Sequence, residues 1–220
     1  MRKSLSTLAL TGALALTLSA CGSNDADTGA DKAPKAAATP TPAAQIDNLT
    51  GEKTEVTLDA GFAAGLTSLK LTPAPVGTAT ITGGVAAFPI TGGSATYYTP
   101  GTVDPYVQGL INHDGSGLSL TDGKTKVELT NFDVDPAKSM LTGDVSANGT
   151  SVIEDAPLFF LDGSTLQPLK MEGSNAILEG TTVSLTKEAA DLLNKTYKTT
   201  ALTEFFKVGV SKITLAVPAS

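Results

Sequence analysis

Polar and apolar residues alternate along most of the chain from residue 46 onward, which is the pattern of strands with one buried face. Five segments show this alternation most clearly: 54–60, 77–83, 124–132, 139–147 and 181–186. The apolar run PLFFLD at 157–162 is typical of a short strand buried on both faces. Asn-Gly, Asp-Gly and Gly-Gly pairs between these segments suit the positive φ angles of hairpin turns. The pattern predicts a mainly β fold, an antiparallel β-sandwich or barrel.

Two short helices are predicted within this β pattern. The first covers 59–66 with Asp59 as its N-cap, and the second covers 186–197 with Thr186 as its N-cap. The apolar residues at helical spacing are expected to face the core: Phe62, Ala63 and Leu66 in the first helix, and Ala189, Leu192, Leu193 and Tyr197 in the second. The expected fold is therefore a β-sandwich or barrel with two short helices.

These helices belong to a weak internal repeat. Residues 54–66 align with 181–193, and residues 77–82 align with 209–214 after a short slip in register. Each unit has the order strand, short helix, strand, so the two units are expected to pack close together with the central strands between them. Chance similarity between segments rich in Thr and Ala is the alternative.

The first twenty residues have the features of an export signal. Arg2 and Lys3 precede an apolar run at 5–18, which as a helix would reach about 21 Å and is too short for a hydrocarbon core of about 30 Å. The sequence Leu-Ser-Ala-Cys at 18–21 is similar to a bacterial lipobox. That similarity implies cleavage before Cys21 and attachment of acyl chains such as palmitate to its thiol. An ordinary secretory signal with a chance cysteine is the alternative.

Composition divides the chain into three parts. Residues 1–20 are the predicted lipoprotein signal peptide, residues 21–45 are the lipidated Cys21 and a disordered tether, and residues 46–220 are a single β-rich domain. The tether is rich in Pro, Ala, Thr and Asp, and such a segment buries too little apolar surface to offset its chain entropy. The predicted location is the extracytoplasmic face of the cell membrane, with the lipid as anchor.

Charge and cysteine usage exclude several kinds of site. The 220-residue chain has a formal net charge of −7, and loss of the two cations Arg2 and Lys3 with the signal peptide would make it −9. Arg2 is the sole arginine, so the mature domain lacks the clustered cations that nucleic acids require. Cys21 is the sole cysteine, so the domain has no thiol for a disulfide, a nucleophile or a metal site.

The sequence has no recognisable catalytic motif, and the protein is predicted not to be an enzyme. There is no G-x-S-x-G elbow, no H-E-x-x-H motif and no P-loop. Segment 131–142 lacks the glycine and the glutamate of an EF-hand calcium loop. The carboxylate pairs Asp133/Asp135 and Glu154/Asp155 are interpreted as solvated surface, with a glycoside-cleaving pair as the alternative.

His113 is the sole histidine and the most distinctive candidate for a binding role. It follows the strand-like segment VQGLIN and precedes Asp114-Gly115. One interpretation is a turn histidine whose ring caps local backbone, and the other is a ligand-binding residue. Asp114 is expected to point to the opposite face of a strand, so a Ser-His-Asp arrangement is not predicted.

Four segments carry a resemblance to known exported proteins: 83–93, 107–120, 127–135 and 209–217. They resemble a group of exported proteins of high-GC Gram-positive bacteria, the actinobacteria, and more distantly the haem-transport-associated (HtaA-like) domain of corynebacterial surface proteins. That domain has a strand that reaches an H-x-G-x-L turn. His113, Gly115 and Leu118 match this turn when one inserted residue is allowed.

The resemblance implies a haem site in which a tyrosinate ligates ferric iron and His113 orients it. Tyr197 matches a late tyrosine of that domain. The aromatic-rich first strand of that domain, which carries another haem-site tyrosine, is missing here. Tyr97, Tyr98 and Tyr106 are the available substitutes.

Two hypotheses for the function follow. In the first, the domain is a ligand-binding or interaction module, and haem is the candidate ligand. In the second, it is a structural or adhesive envelope lipoprotein whose partner is a protein or a glycan, with no small-molecule ligand. If haem binds through the residues named above, His113 and Tyr197 must face one pocket.

Overall fold

The structure is a computed structural model that describes residues 39–217 of the chain. Over these residues the chain forms thirteen strands, all paired antiparallel in the sheet, and two α-helices. The strands are β1 (Ala44–Ile46), β2 (Lys53–Leu58), β3 (Thr72–Gly77), β4 (Thr80–Thr82), β5 (Val85–Pro89), β6 (Gly92–Tyr97), β7 (Val107–Thr121), β8 (Lys126–Asp135), β9 (Met140–Ala147), β10 (Thr150–Asp162), β11 (Lys170–Glu172), β12 (Asn175–Leu185) and β13 (Lys207–Ala216). The helices are α1 (Ala60–Ser68) and α2 (Lys187–Tyr197). The predicted fold class, mainly β with two short helices, is confirmed.

All thirteen of these strands belong to one curled sheet. Its order is β1-β6-β7-β8-β9-β10-β12-β13-β2-β5-β4, with β3 added to β7 and β11 added to β12. The curl brings side chains from separated strands together: Phe88 on β5 meets Phe132 on β8 edge-on with ring centroids 5.2 Å apart, and Phe132 meets Phe159 on β10 at 6.3 Å. The sheet is therefore a half-barrel with an apolar inner face, which agrees with the predicted sandwich or barrel.

Both helices begin where the sequence predicts. The Asp59 carboxylate accepts a hydrogen bond from the Gly61 N–H at 2.8 Å, and the Thr186 hydroxyl oxygen accepts one from the Ala189 N–H at 3.1 Å. These bonds satisfy helix N–H groups that have no partner within their own helix. The buried helical residues are Phe62 and Leu66 in α1 and Ala189, Ala190 and Leu193 in α2.

The inward faces of the helices are narrower than the sequence predicts. Ala63 is exposed, and Leu192 and Tyr197 are half-buried. Both helices are short and contact the sheet along one stripe, so residues at the edge of the apolar face keep part of their surface in solvent.

The two repeat units lie side by side, as the repeat predicts. β2 and β13 pair antiparallel, and Phe62 on α1 contacts Phe206 just before β13 with ring centroids 6.3 Å apart. The second strand segments of the two units, residues 77–82 and 209–214, do not occupy equivalent positions in the sheet. Residues 77–82 form the end of β3, a turn and β4 at the end of the sheet, whereas residues 209–214 lie within β13 between β12 and β2.

The Asp114-Gly115 pair does not form a hairpin turn. It lies inside the fifteen-residue strand β7, where the register with β8 shifts between His113 and Gly117. Gly115 has a φ of +69° and Asn131 on β8 has a φ of +53°, which is the backbone of a β-bulge. His113 is therefore a strand residue beside a bulge, and the interpretation as a turn histidine was wrong. Asp114 is exposed on the opposite face, as predicted.

The sheet begins two residues before the domain boundary predicted at residue 46. β1 pairs with β6, and the Ala43 N–H donates to the Tyr97 carbonyl at 2.8 Å. The residues described from Thr39 onward belong to one compact unit. The predicted signal peptide, Cys21 and the tether as far as residue 38 lie outside the described residues. Within residues 39–217, neither helix has the length and apolarity needed to cross a membrane.

Candidate binding cleft

An apolar cleft of about 350 Å³ opens on the inner face of the half-barrel. Residues of β2, β5, β7, β8, β9, β10, β12 and β13 line it, and most of them occupy the alternate positions that point to this face. Its walls include Phe88, Ile111, Phe132 and Ile213. A cleft of this size with few polar groups is the usual form of a small-molecule site.

His113 lies in this cleft with 1% of its surface exposed. Its Nδ1 lies 3.0 Å from the Phe132 carbonyl oxygen, and its Nε2 lies 2.8 Å from the Thr54 hydroxyl oxygen. Burial lowers the pKa of His113 and outweighs the opposing effects of the Phe132 carbonyl and the Asp133 carboxylate. The ring is therefore neutral at pH 7, and both of its nitrogens are bonded within the protein.

Thr54 and Ser211 complete a small polar region, and we call the part of the cleft formed by Thr54, His113 and Ser211 the floor. Thr54 is 5% exposed and Ser211 is 7% exposed. Neither residue belongs to a motif of the sequence, and neither was predicted as a site residue. The signal that could have found them is a small polar residue on the apolar face of a strand, since Thr54 alternates with Val56 and Leu58, and Ser211 alternates with Ile213.

Tyr106 also lines the cleft, from the segment just before β7. Its hydroxyl donates to the Leu166 carbonyl at 3.3 Å, and its ring packs edge-on against Tyr97 with centroids 5.8 Å apart. Burial, with a smaller effect of Tyr97, raises the pKa of Tyr106, so its phenol is protonated at neutral pH. Of the three substitute tyrosines, Tyr97, Tyr98 and Tyr106, it is Tyr106 that contributes to the cleft.

Tyr197 does not lie in the cleft with His113. It is the last residue of α2, which packs against β10, and its hydroxyl donates to the Leu120 carbonyl at 2.6 Å. Burial raises the pKa of Tyr197 to about 12, which holds the phenol in its protonated form. The structure does not bring His113 and Tyr197 to one pocket, because α2 places Tyr197 beside the end of β7 rather than among the cleft-lining residues.

The carboxylate pairs considered from the sequence make local contacts. Asp133 accepts a hydrogen bond from a neighbouring asparagine at 2.6 Å. Asp135 accepts one from the Lys138 N–H at 3.1 Å and pairs with the Lys138 ammonium at 2.9 Å. Glu154 and Asp155 lie on an exposed stretch of β10. Among residues 39–217, no group of three or more His, Cys, Asp or Glu side chains is arranged to hold a metal ion.

A scan of protein-family models finds no match to this chain, and a search of curated proteins finds none. Among solved structures, the fold is similar to the C-terminal domain of HtaA from Corynebacterium glutamicum, with a TM-score of 0.53 and 14% sequence identity, over 77% of this chain and 98% of that domain. A domain-swapped dimer of a variant of that domain matches with a TM-score of 0.46 and 14% identity, over 72% of this chain and 92% of that one. The likeness to the first structure confirms the distant HtaA-like resemblance at the level of the fold.

Proposed function

We propose that the domain is an extracytoplasmic ligand-binding module whose ligand occupies the cleft, with haem as the candidate ligand. The observation that carries this proposal is the cleft itself, an apolar space of about 350 Å³ with three buried polar side chains at its floor. Apolar side chains that face an unfilled space lose packing contacts, so a ligand that fills the cleft is stabilised there. The proposed role is binding and not catalysis, because both nitrogens of His113 are already engaged in hydrogen bonds within the protein.

A largely apolar cleft suits haem. The positions of the side chains favour a different iron ligand from the one that the sequence resemblance implies. Phe88 and Phe132 form apolar walls for a porphyrin body. Neither His113, whose ring nitrogens are bonded, nor Tyr197, which is outside the cleft, is placed to bind the iron. Tyr106 is the proposed ligand: its hydroxyl would give up its 3.3 Å hydrogen bond to the Leu166 carbonyl and ionise to a tyrosinate, which the ferric charge would favour despite burial. The sequence resemblance and the likeness of the folds support haem over other apolar molecules.

Titration of the mature chain with hemin tests this proposal. The protein is residues 21–220 carrying Cys21→Ser, and the measurement is the absorption spectrum through the Soret region. We expect saturable binding by the unaltered cleft. Tyr106→Phe should weaken binding by about tenfold or more and remove the tyrosinate-to-iron charge-transfer band, because the iron ligand is lost.

Tyr197→Phe is the matched control for this experiment. It also removes a phenol hydroxyl that donates to a backbone carbonyl, but outside the cleft. It should bind hemin as the parent protein does. An absence of any spectral change at excess hemin would reject haem and favour an envelope protein or glycan as partner. Loss of binding in Tyr197→Phe but not in Tyr106→Phe would show that the iron site is at the end of α2.

We also propose that the domain is anchored to the outer face of the cell membrane by lipid on Cys21. The lipobox at 18–21 and the apolar run before it support this proposal. Cys21→Ser removes the thiol that carries the lipid and should move the protein from the membrane fraction to the medium. Ser19→Ala keeps a small residue in the lipobox and should leave the protein in the membrane fraction. A Cys21→Ser protein that stays uncleaved and membrane-bound would show the lipoprotein proposal to be wrong.

A further inference from the structure

The floor of the cleft has a defined set of hydrogen-bond donors and acceptors. A carbonyl oxygen can only accept, so the 3.0 Å contact with Phe132 places the imidazole proton on Nδ1 of His113. In the neutral ring, Nε2 is then an acceptor, and the Thr54 hydroxyl must donate to it across 2.8 Å. The Thr54 proton is committed to His113, and the lone pairs of the Thr54 oxygen remain. Thr54 therefore offers an acceptor to the cleft.

Ser211 lies close to Thr54 on the neighbouring strand. The register of β2 with β13 places Ser211 opposite Val56, and Thr54 opposite Ile213. Thr54 and Ser211 are therefore diagonal neighbours on the same inner face, with a separation of about 7–8 Å between such positions. A single group at the end of a ligand can lie between them.

The Ser211 hydroxyl is free for a ligand. Ser211 is 93% buried, since 7% of its surface is exposed, and its hydroxyl makes no hydrogen bond within the described part of the chain. Every fully enclosed side-chain polar atom in that part has a partner, so this hydroxyl is not fully enclosed, and Ser211 lines the cleft. When an apolar ligand displaces solvent from the cleft, a hydroxyl left without a partner costs free energy, and a ligand that bonds to this hydroxyl avoids that cost.

The charge around the cleft disfavours an anion at the floor. No lysine from residues 39–217 lines the cleft, whereas the acidic residues Asp104 and Asp162 do. A carboxylate buried at the floor would meet the lone pairs of Thr54 and a single donor, Ser211. Its desolvation would therefore be poorly compensated. A neutral hydroxyl or amide can donate to Thr54 and exchange a second hydrogen bond with Ser211.

We infer that the floor selects apolar ligands whose buried end carries a neutral hydroxyl or amide, and rejects the corresponding carboxylate. This inference rests on the proposed function, because it takes the ligand to occupy the cleft. It also bears on haem, whose two carboxylates would have to stay at the mouth of the cleft.

The test compares ligands of one chain length that differ at one end. Binding of 1-decanol, decanamide, decanoate and decane to residues 21–220 carrying Cys21→Ser is measured by calorimetry at pH 7.5. Decanol and decanamide should bind about tenfold or more tightly than decanoate and decane. Thr54→Val and Ser211→Ala should each weaken decanol binding about three- to tenfold more than they weaken decane binding, because only decanol bonds to the lost hydroxyl.

Two variants serve as matched controls. Thr214→Val and Ser119→Ala remove the hydroxyls of residues that are also buried but do not line the cleft, and they should leave all four affinities unchanged. The comparison of ligands on the unaltered cleft needs no variant, so a folding defect in a variant does not decide the result. Decanoate or decane binding as tightly as decanol would overturn the inference alone. Binding of hemin without binding of decanol would also overturn the inference alone. If neither hemin nor any of the four ten-carbon ligands binds, the proposed function is overturned as well.

Discussion

His113 is part of the fold as well as part of the cleft. Its bond to Thr54 joins β7 to β2, and β8, β9, β10, β12 and β13 lie between those two strands in the sheet. Phe88 on β5 and Phe132 on β8 also meet across the open side, so the His113–Thr54 bond is one of several contacts that hold the curl. The same bond sets the donor and acceptor pattern of the floor. One neutral ring therefore contributes both to the shape of the cleft and to its polarity.

Replacing His113 should change the pH dependence of stability. In His113→Asn the side-chain amide can still donate to the Phe132 carbonyl, but it is too short to reach Thr54. The variant should be about 1–3 kcal/mol less stable at pH 7. Burial lowers the folded-state pKa of His113 below the unfolded value of about 6.5. The unfolded chain therefore binds the proton first as the pH falls, and the wild type loses part of its advantage between pH 7 and pH 5.

Urea unfolding of the two proteins at pH 7 and pH 5 measures this effect. His113 is the only histidine in the sequence, so no other imidazole titrates, and the contributions of the carboxylates cancel in the difference between the proteins. The gap in unfolding free energy should be smaller at pH 5. An equal gap at both values would show that His113 is not held neutral in the folded domain.

At the scale of the elements, local signals in the sequence were sufficient for the helix starts and for several hairpins. Asp59 and Thr186 cap helices because a side-chain oxygen at the N-cap reaches N–H groups two or three residues away. Gly83-Gly84, Asp122-Gly123 and Asn148-Gly149 connect paired strands, as predicted. These interactions involve residues close in the chain, so their pattern is visible before any tertiary contact is known.

The bulge in β7 could not be distinguished from a turn by the same signals. A glycine at positive φ serves either structure, and the pairing of β7 with β8 on both sides of Gly115 decides between them. Gly117 shows that the need for glycine in β7 also comes from a strand that is distant in the sequence. A Cβ atom there would lie 2.1 Å from the Leu129 carbonyl oxygen on β8, so the close approach of the strands demands glycine.

At the scale of the whole molecule, the cleft joins residues that are far apart in the sequence. Thr54, His113 and Ser211 come from β2, β7 and β13, and they meet because the sheet curls. Alternation predicts which face of each strand is apolar, but it does not predict which strands face one another. For the same reason the resemblance to the HtaA-like domain implied Tyr197 as the partner of His113, whereas the fold places Tyr106 in the cleft.

The order of the sheet also predicts where the stable domain begins. β1 pairs with β6, and Ile46 on β1 is buried, so cleavage within β1 requires loss of that pairing. Limited proteolysis of residues 21–220 carrying Cys21→Ser should leave one resistant fragment that begins before Ala44. The segment preceding β1 is expected from its composition to be cut first. Mass spectrometry of the fragment gives its first residue.

Two variants of β1 test whether the pairing of this strand with β6, and not merely its exposure to the protease, decides where the resistant fragment begins. Ile46→Asp places a charge on the buried face of β1 and should release the strand, so that the resistant fragment begins after residue 46. Gln45→Asp places the same charge on the neighbouring exposed position and should leave the fragment unchanged.

The remaining strands form one continuous sheet in which β2 and β13 join the two ends of the domain, so cutting should not yield separable halves. Two stable fragments divided at the turn between β7 and β8 would contradict a single cooperative sheet.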